Sequence, residues 1–334
     1  MLIGVQGVNG KSYGAVGIAC SIAGFLALNR NRKTLILQFI NKTPNSAEKL
    51  LIGNRLRSEQ GNIDENDDSG YSDDGMDSLL RLVEGAKLMD ADFSANCTPM
   101  NEKIKFLFDV ANVTMSNDFI KDLMERMDEG ENNIVERLIK SAADDEVQER
   151  VGIYSNVILI IESSNVKFAA KIKEFVDYSI YCVPQGFAQK NVRVADKKKE
   201  IIVVNDFDTD SKFSLKTMKK EYYVKKVYPV VHNVGYKDAL LAGTLLSFIR
   251  KNRECEANDK NYEWKKSISE IVTFLVGKEV EPEKLYTKEL KYESPNKELL
   301  DMESIPYQEI EEIPKKTLFG PKRKRKVTGV VITE

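Results

Sequence analysis

At 334 residues, with 42% hydrophobic and 31% charged side chains, the chain has enough apolar material to bury a large core without metal or disulfide support. Its formal net charge of −2 excludes a molecule-wide field that would draw in nucleic acid or membrane, so any such attraction must be local. Cys20, Cys97, Cys182 and Cys255 stand far apart with no C-x-x-C pair, and His232 is the only histidine. That usage argues against a disulfide framework, a zinc site or a histidine-based hydrolytic triad, and it suits a reducing cytoplasm.

In chain order, an apolar run over residues 2–6 reads as a strand and leads through Gly7-Val8-Asn9-Gly10-Lys11-Ser12 into a helical pattern over 13–29. Residues 12–29 carry no charge and have the length of a signal anchor. Gly14, Gly17, Gly24 and Ser21 weaken its partition into lipid, however, and the basic residues are heavier behind it than in front. A helix buried on all sides is the better reading, and a cytoplasmic location follows. Strand 34–39 comes next. Residues 60–77 then hold seven acidic and no basic side chains, which reads as a solvated loop. Further strands are predicted at 105–109, 157–161, 178–183, 201–205 and 226–229. Helices are predicted at 76–83, 117–127, 132–141, 166–175, 215–222, 239–250 and 262–277. Most of the strands are continuous apolar runs, as in strands covered on both faces. Their alternation with helices predicts a three-layer α/β/α fold with a mostly parallel sheet of about seven strands. Residues 1–277 are read as one domain. From 278 to 334 the chain is rich in Glu, Lys and Pro and carries the basic run from Lys322 to Lys326, which reads as a charged tail.

The turn after the first strand is the main chemical signal. A glycine-containing turn between a strand and a helix N-terminus directs backbone N–H groups toward one point, where the helix dipole and a lysine favour phosphate oxygens. Lys11 supplies the cation, and Ser12 supplies a hydroxyl suited to Mg2+. The hexapeptide is a weak signal on its own, because Val5 stands where the standard G-x-x-x-x-G-K-[ST] loop has its first glycine.

The stations downstream give the turn its context. Gly7, Gly10, Lys11 and Ser12 match the K-G-G-x-G-K-[ST] loop of the MinD/ParA family, and Ala19 and Ala23 match the alanines of the helix that follows it. Residues 72–80 (SDDGMDSLL) are similar to that family's G-L-x-x-L-L segment. Residues 156–161 (NVILII) resemble its Walker B strand, and the runs at 176–184, 201–205 and 227–229 resemble its last strands. The chain thus resembles the MinD/ParA-like deviant P-loop family over about residues 1–277. The resemblance implies a P-loop NTPase-like fold in which Gly7, Asn9, Gly10, Lys11, Ser12 and Tyr13 hold the phosphates of ATP or ADP. It also implies Mg2+ at Ser12 and Glu162, and adenine recognition by Asn205 and Pro229. Glu162 also fits a capping or solvated acid at a strand end, and Asn205 a strand-end turn.

The departures fall on the chemistry. Gln6 stands where the family has its signature lysine, and Val8 stands at its second glycine. The acidic switch position after the second strand is Gln38 or Ile40, neither of which can act as a base. A neutral amide does not offset charge developing on phosphoryl oxygens, so binding is more credible than turnover and the chain is at most a slow ATPase. The resemblance to degenerate TadZ/CpaE-like members implies a scaffold or positioning factor for a pilus, secretion or conjugation machinery, with a protein partner, a homodimer and recruitment to the membrane periphery or cell pole. The alternative is a ParA-like DNA-segregating ATPase whose run from Lys322 to Lys326 meets nucleic acid; the same run would also meet an anionic membrane. A ligase of this fold lacks its substrate acids here. A reductase iron protein would need Cys97 and Cys182 as ligands, and neither sits in a convincing ligand loop.

Overall fold

The computed structural model describes residues 1–8, 11–12, 14–30, 32–39, 46–53, 75–100, 108–112, 134–143, 154–161, 166–186, 199–222 and 226–277. Asn9, Gly10, Tyr13, Glu162, the expected helix 117–127, residues 60–74 of the acidic stretch and the tail 278–334 lie outside them.

Among the described residues, eight strands form one sheet, ordered β3-β4-β2-β5-β1-β6-β7-β8. They are β1 (Leu2–Gln6), β2 (Thr34–Phe39), β3 (Thr98–Pro99), β4 (Phe108–Asn112), β5 (Asn156–Ile161), β6 (Tyr178–Pro184), β7 (Glu200–Phe207) and β8 (Val227–Val231). Seven are parallel to their neighbours, and the two-residue β3 pairs antiparallel with β4 at one edge. This is the mostly parallel sheet of about seven strands that was expected, with a short eighth strand at one edge. β3 escaped notice because two residues carry no period. Of the strand expected at 105–109, residues 105–107 lie outside the described ones; β4 spans Phe108–Asn112, with Val110 and Ala111 buried.

Successive side chains of a strand point to opposite faces, and both faces here are covered. Ile3, Val5, Ile36, Ile158, Ile160, Ile180, Ile201 and Val203 pack beneath α1 (Ala15–Arg30), with α2 (Ala47–Ile52) and later helices beside it. Their neighbours Leu35, Leu37, Val157 and Leu159 pack on the other side beneath α3 (Met76–Glu84), α4 (Asp90–Asn96) and α5 (Ile134–Ala142), where α6 (Val166–Phe175) also lies. On the same side, Val183, Ile202 and Val204 meet Met218 of α7 (Leu215–Glu221). Double coverage of this kind is why the strands read as unbroken apolar runs.

α1 is buried without interruption from Ala15 to Ala27. The uncharged stretch is therefore a core helix, and no described helix is long and apolar enough to cross a membrane. It starts at Ala15 rather than at the expected residue 13. Its cover is completed by α8 (Val234–Ala242), α9 (Leu245–Asn252) and α10 (Tyr262–Val276). The single helix expected over 239–250 is corrected to two. Gly243 takes a left-handed conformation (φ 63°, ψ 36°) that ends α8, its N–H donating to the Ala239 and Leu240 carbonyls, and α9 starts at Leu245. A methyl group at Gly243 would lie 2.5 Å from the Lys49 carbonyl oxygen and 2.6 Å from Gly53 Cα, so the end of α8 rests directly on the end of α2.

A chain of buried amides ties these helices together. Asn233 caps α8 by accepting from the Tyr236 N–H at 2.7 Å, and its Nδ2 donates to Asn261 Oδ1 at 3.0 Å. Asn261 Nδ2 donates in turn to Asn252 Oδ1 at 2.7 Å, at the end of α9. Each amide satisfies the next, as buried polar groups must.

Candidate functional site

In an open parallel sheet, ligands bind beyond the carboxyl ends of the strands, where the strand order reverses. β1 lies between β5 and β6, so the turn that leaves it emerges at that reversal. The turn is tight. The Lys11 N–H donates to the Val8 carbonyl at 3.1 Å, and the chain doubles back until a methyl group on Gly7 would overlap the Lys11 carbonyl oxygen and come 2.7 Å from Ser12 Cα. Gly7 is therefore required by close backbone approach. Val8 turns into the core against Val183, Ile202 and Val204, while Lys11 and Ser12 are exposed. The Ser12 carbonyl accepts from the Ala15 N–H at 2.8 Å and opens α1. The Lys11 N–H is directed back along the chain, so it is not among the backbone donors expected to face one point; the amides of Asn9, Gly10 and Tyr13 lie outside the described residues.

The structure brings Asn205 to this turn. Asn205 ends its pairing with β6 opposite Pro184, and its Nδ2 lies so close to Gly14 that a methyl group there would overlap it. Gly14 has φ +78°, so its backbone also excludes other residues. Pro229 pairs with Val204, one residue before Asn205, on the edge strand β8, where a residue without an N–H is tolerated.

Beyond Val204 the β7–β8 pairing slips. Val204 faces Pro229 and Phe207 faces Val231, so Asn205 and Asp206 together stand against the single residue Val230. Within this bulge Asp206 adopts φ +60°. Its carboxylate meets His232 Nδ1 at 2.6 Å and Lys237 Nζ at 2.8 Å. Burial opposes ionisation of Asp206, but the hydrogen bonds and charges of Lys237 and His232 outweigh it and hold the carboxyl below its usual range. This cluster went unread in the sequence, where His232 served only to exclude histidine chemistry. The Asn-Asp pair at a strand end was the available signal, since both residues tolerate left-handed backbone.

At the end of β2, Gln38 is 2% exposed, and its Oε1 accepts the Ala47 N–H at 2.6 Å, fixing the start of α2. Gln6, in β1, is buried between Ile161 and Tyr181. A cleft of about 480 Å3 adjoins the turn, lined among others by Ser12, Gly14, Gly17, Lys49, Leu240 and Gly243. Leu241, 88% exposed, stands on its rim. Among the described residues, no group of three His, Cys, Asp or Glu side chains gathers as a metal site. Cys97 and Cys182 are buried thiols whose ionisation is suppressed by desolvation, so they do not suit a shared cluster.

No family model matches the sequence, and no curated protein matches it. Solved structures do match the fold. A ParA family ATPase from Chlorobium tepidum TLS aligns over 81% of this chain and 98% of its own, with a TM-score of 0.55 and 13% identity. A chain of the MinC:MinD cell division protein complex of Aquifex aeolicus aligns over 84% and 96%, with a TM-score of 0.52 and 13% identity. A plasmid partition protein of Borrelia burgdorferi, solved with AMPPNP bound, aligns over 82% and 98%, with a TM-score of 0.50 and 12% identity. At such identities the likeness is one of fold: the chain has the α/β architecture of ParA and MinD ATPases.

Proposed function

We propose that the chain binds an adenine nucleotide at the carboxyl edge of its sheet and serves as a positioning factor for a larger protein machinery, with slow turnover or none. The observation that carries this reading is the contact of the Asn205 amide with Gly14, beside the Gly7–Ser12 turn. This contact supports a reading in which the amide offers a donor and an acceptor to a base edge, with Gly14 three residues along the chain from a lysine suited to phosphate. Lys11 and Ser12 are the exposed groups suited to phosphate oxygens and Mg2+, and Asn9, Gly10, Tyr13 and Glu162 complete the proposed set. The metal would neutralise phosphate charge.

Slow turnover is supported by Gln38. Its side-chain carbonyl is already engaged by the Ala47 amide, and an amide in that position has no basic group to orient an attacking water. Assembly of the protein on a nucleotide-dependent homodimer or a protein partner fits this reading. A pilus, secretion or conjugation apparatus is the partner class suggested by the TadZ/CpaE-like resemblance.

Isothermal titration of the full chain with ADP and ATP in Mg2+ is the direct test. Micromolar binding is expected, lost on Lys11→Ala, with phosphate release near background. No heat and no thermal upshift with either nucleotide would leave the fold without this function.

A further inference from the structure

We infer that Asp206 is a positioning residue: clamped by His232 and Lys237, it holds the β7 bulge in the shape that turns Asn205 toward a nucleotide base. The inference rests on the adenine-nucleotide reading above and names the device that sets its base selectivity.

Bulges between parallel strands are uncommon, and where they occur they re-aim a side chain. This one inserts one extra residue at the carboxyl end of β7, immediately beside the turn that follows β1. Its cost is visible in Asp206, a non-glycine residue at φ +60°. Aspartate tolerates that conformation better than most residues, but it is still costly, and a fixed bulge is favoured where its surroundings hold it. Two separate elements supply that enforcement. His232 follows β8 and binds one carboxylate oxygen at 2.6 Å; Lys237, in the first turns of α8, binds the other at 2.8 Å. The His232 N–H also donates to the Phe207 carbonyl at 2.9 Å, closing the bulge from its far side. On the near side, Asn205 meets Gly14, whose missing side chain leaves room for the amide. Asn205 itself keeps its register with Pro184 of β6, and the extra residue falls directly after it, on the side that faces β8. The three side chains are each partly open to solvent. None of the three belongs to the buried hydrophobic clusters.

Two substitutions separate positioning from support. Asp206→Gly removes the carboxylate while suiting the left-handed backbone, and Asp206→Asn tolerates that backbone while removing the charge. Both are to be titrated with ADP and with GDP, alongside thermal denaturation. ADP affinity is expected to fall by about tenfold, the scale of one lost hydrogen-bonding pair, while GDP affinity and Tm hold. Unchanged ADP affinity in both variants would overturn the positioning role and leave nucleotide binding standing. Parallel loss of ADP affinity, GDP affinity and Tm would reduce Asp206 to a structural residue. Absence of ADP binding by the unaltered chain would remove the nucleotide reading and this one with it.

Discussion

Gly7→Ala is expected to abolish nucleotide binding and to lower folding stability by about 1–3 kcal/mol, the range of overpacking in a well-packed site. The added methyl would overlap the Lys11 carbonyl oxygen and crowd Ser12 Cα, and both are backbone atoms that cannot rotate away. Relief requires opening the turn closed by the Lys11 N–H and the Val8 carbonyl. Val8 is anchored in the core beside Val183 and Val204, so the displacement falls on Lys11 and Ser12, the groups proposed to meet phosphate. Urea denaturation and ADP titration of one preparation check both effects. An alanine variant with native stability and native affinity would show that the turn is not closed in solution.

The largest loss of stability is expected from Trp264→Ala. Trp264 is 1% exposed and stands among three aromatic rings, with centroids at 5.9 Å (Phe25), 5.2 Å (Tyr236) and 4.8 Å (Phe248). Removing so large a side chain leaves a cavity that α1 and α10 cannot close, and a cost of about 3–5 kcal/mol follows. Trp264→Phe should cost much less. The indole Nε1 is buried without a hydrogen-bond partner among the described residues, and phenylalanine removes that unsatisfied donor together with the lost volume. Chemical denaturation reads the difference directly. Equal losses in the two variants would mean that the size of the space left behind does not set the cost.

Residues with one dominant physical demand were legible from the sequence. β1, β2 and β5 are covered on both faces, and their apolar runs announced them almost to the residue. Buried helix α1 showed itself by lacking charge. Features made by residues distant in the chain were not legible. The break between α8 and α9 hangs on Gly243, whose neighbours Leu240, Leu241, Leu245 and Leu246 continue an apolar pattern straight through it. α2 is only six residues long, and its start is fixed by Gln38 across the end of β2. The turn and Asn205 were each visible as isolated signals, but their meeting at Gly14 was not. The grouping of Asp206, His232 and Lys237 required knowing that β7 and β8 are neighbours and that their register slips by one.

α10 has a consequence for how the molecule comes into being. The cover over Ile18, Ile22 and Phe25 is finished by Trp264, Ile268 and Ile271, which are among the last described residues to be made. At synthesis rates of roughly 5–20 residues per second, the greasy first helix waits on the order of ten seconds or longer for its lid. The nascent chain therefore matures late and all at once, and its early segments need shielding by ribosome or chaperone. Ribosome-bound chains halted before residue 262 should be cut readily within α1 by protease, and those that have exposed residue 276 beyond the exit tunnel should resist.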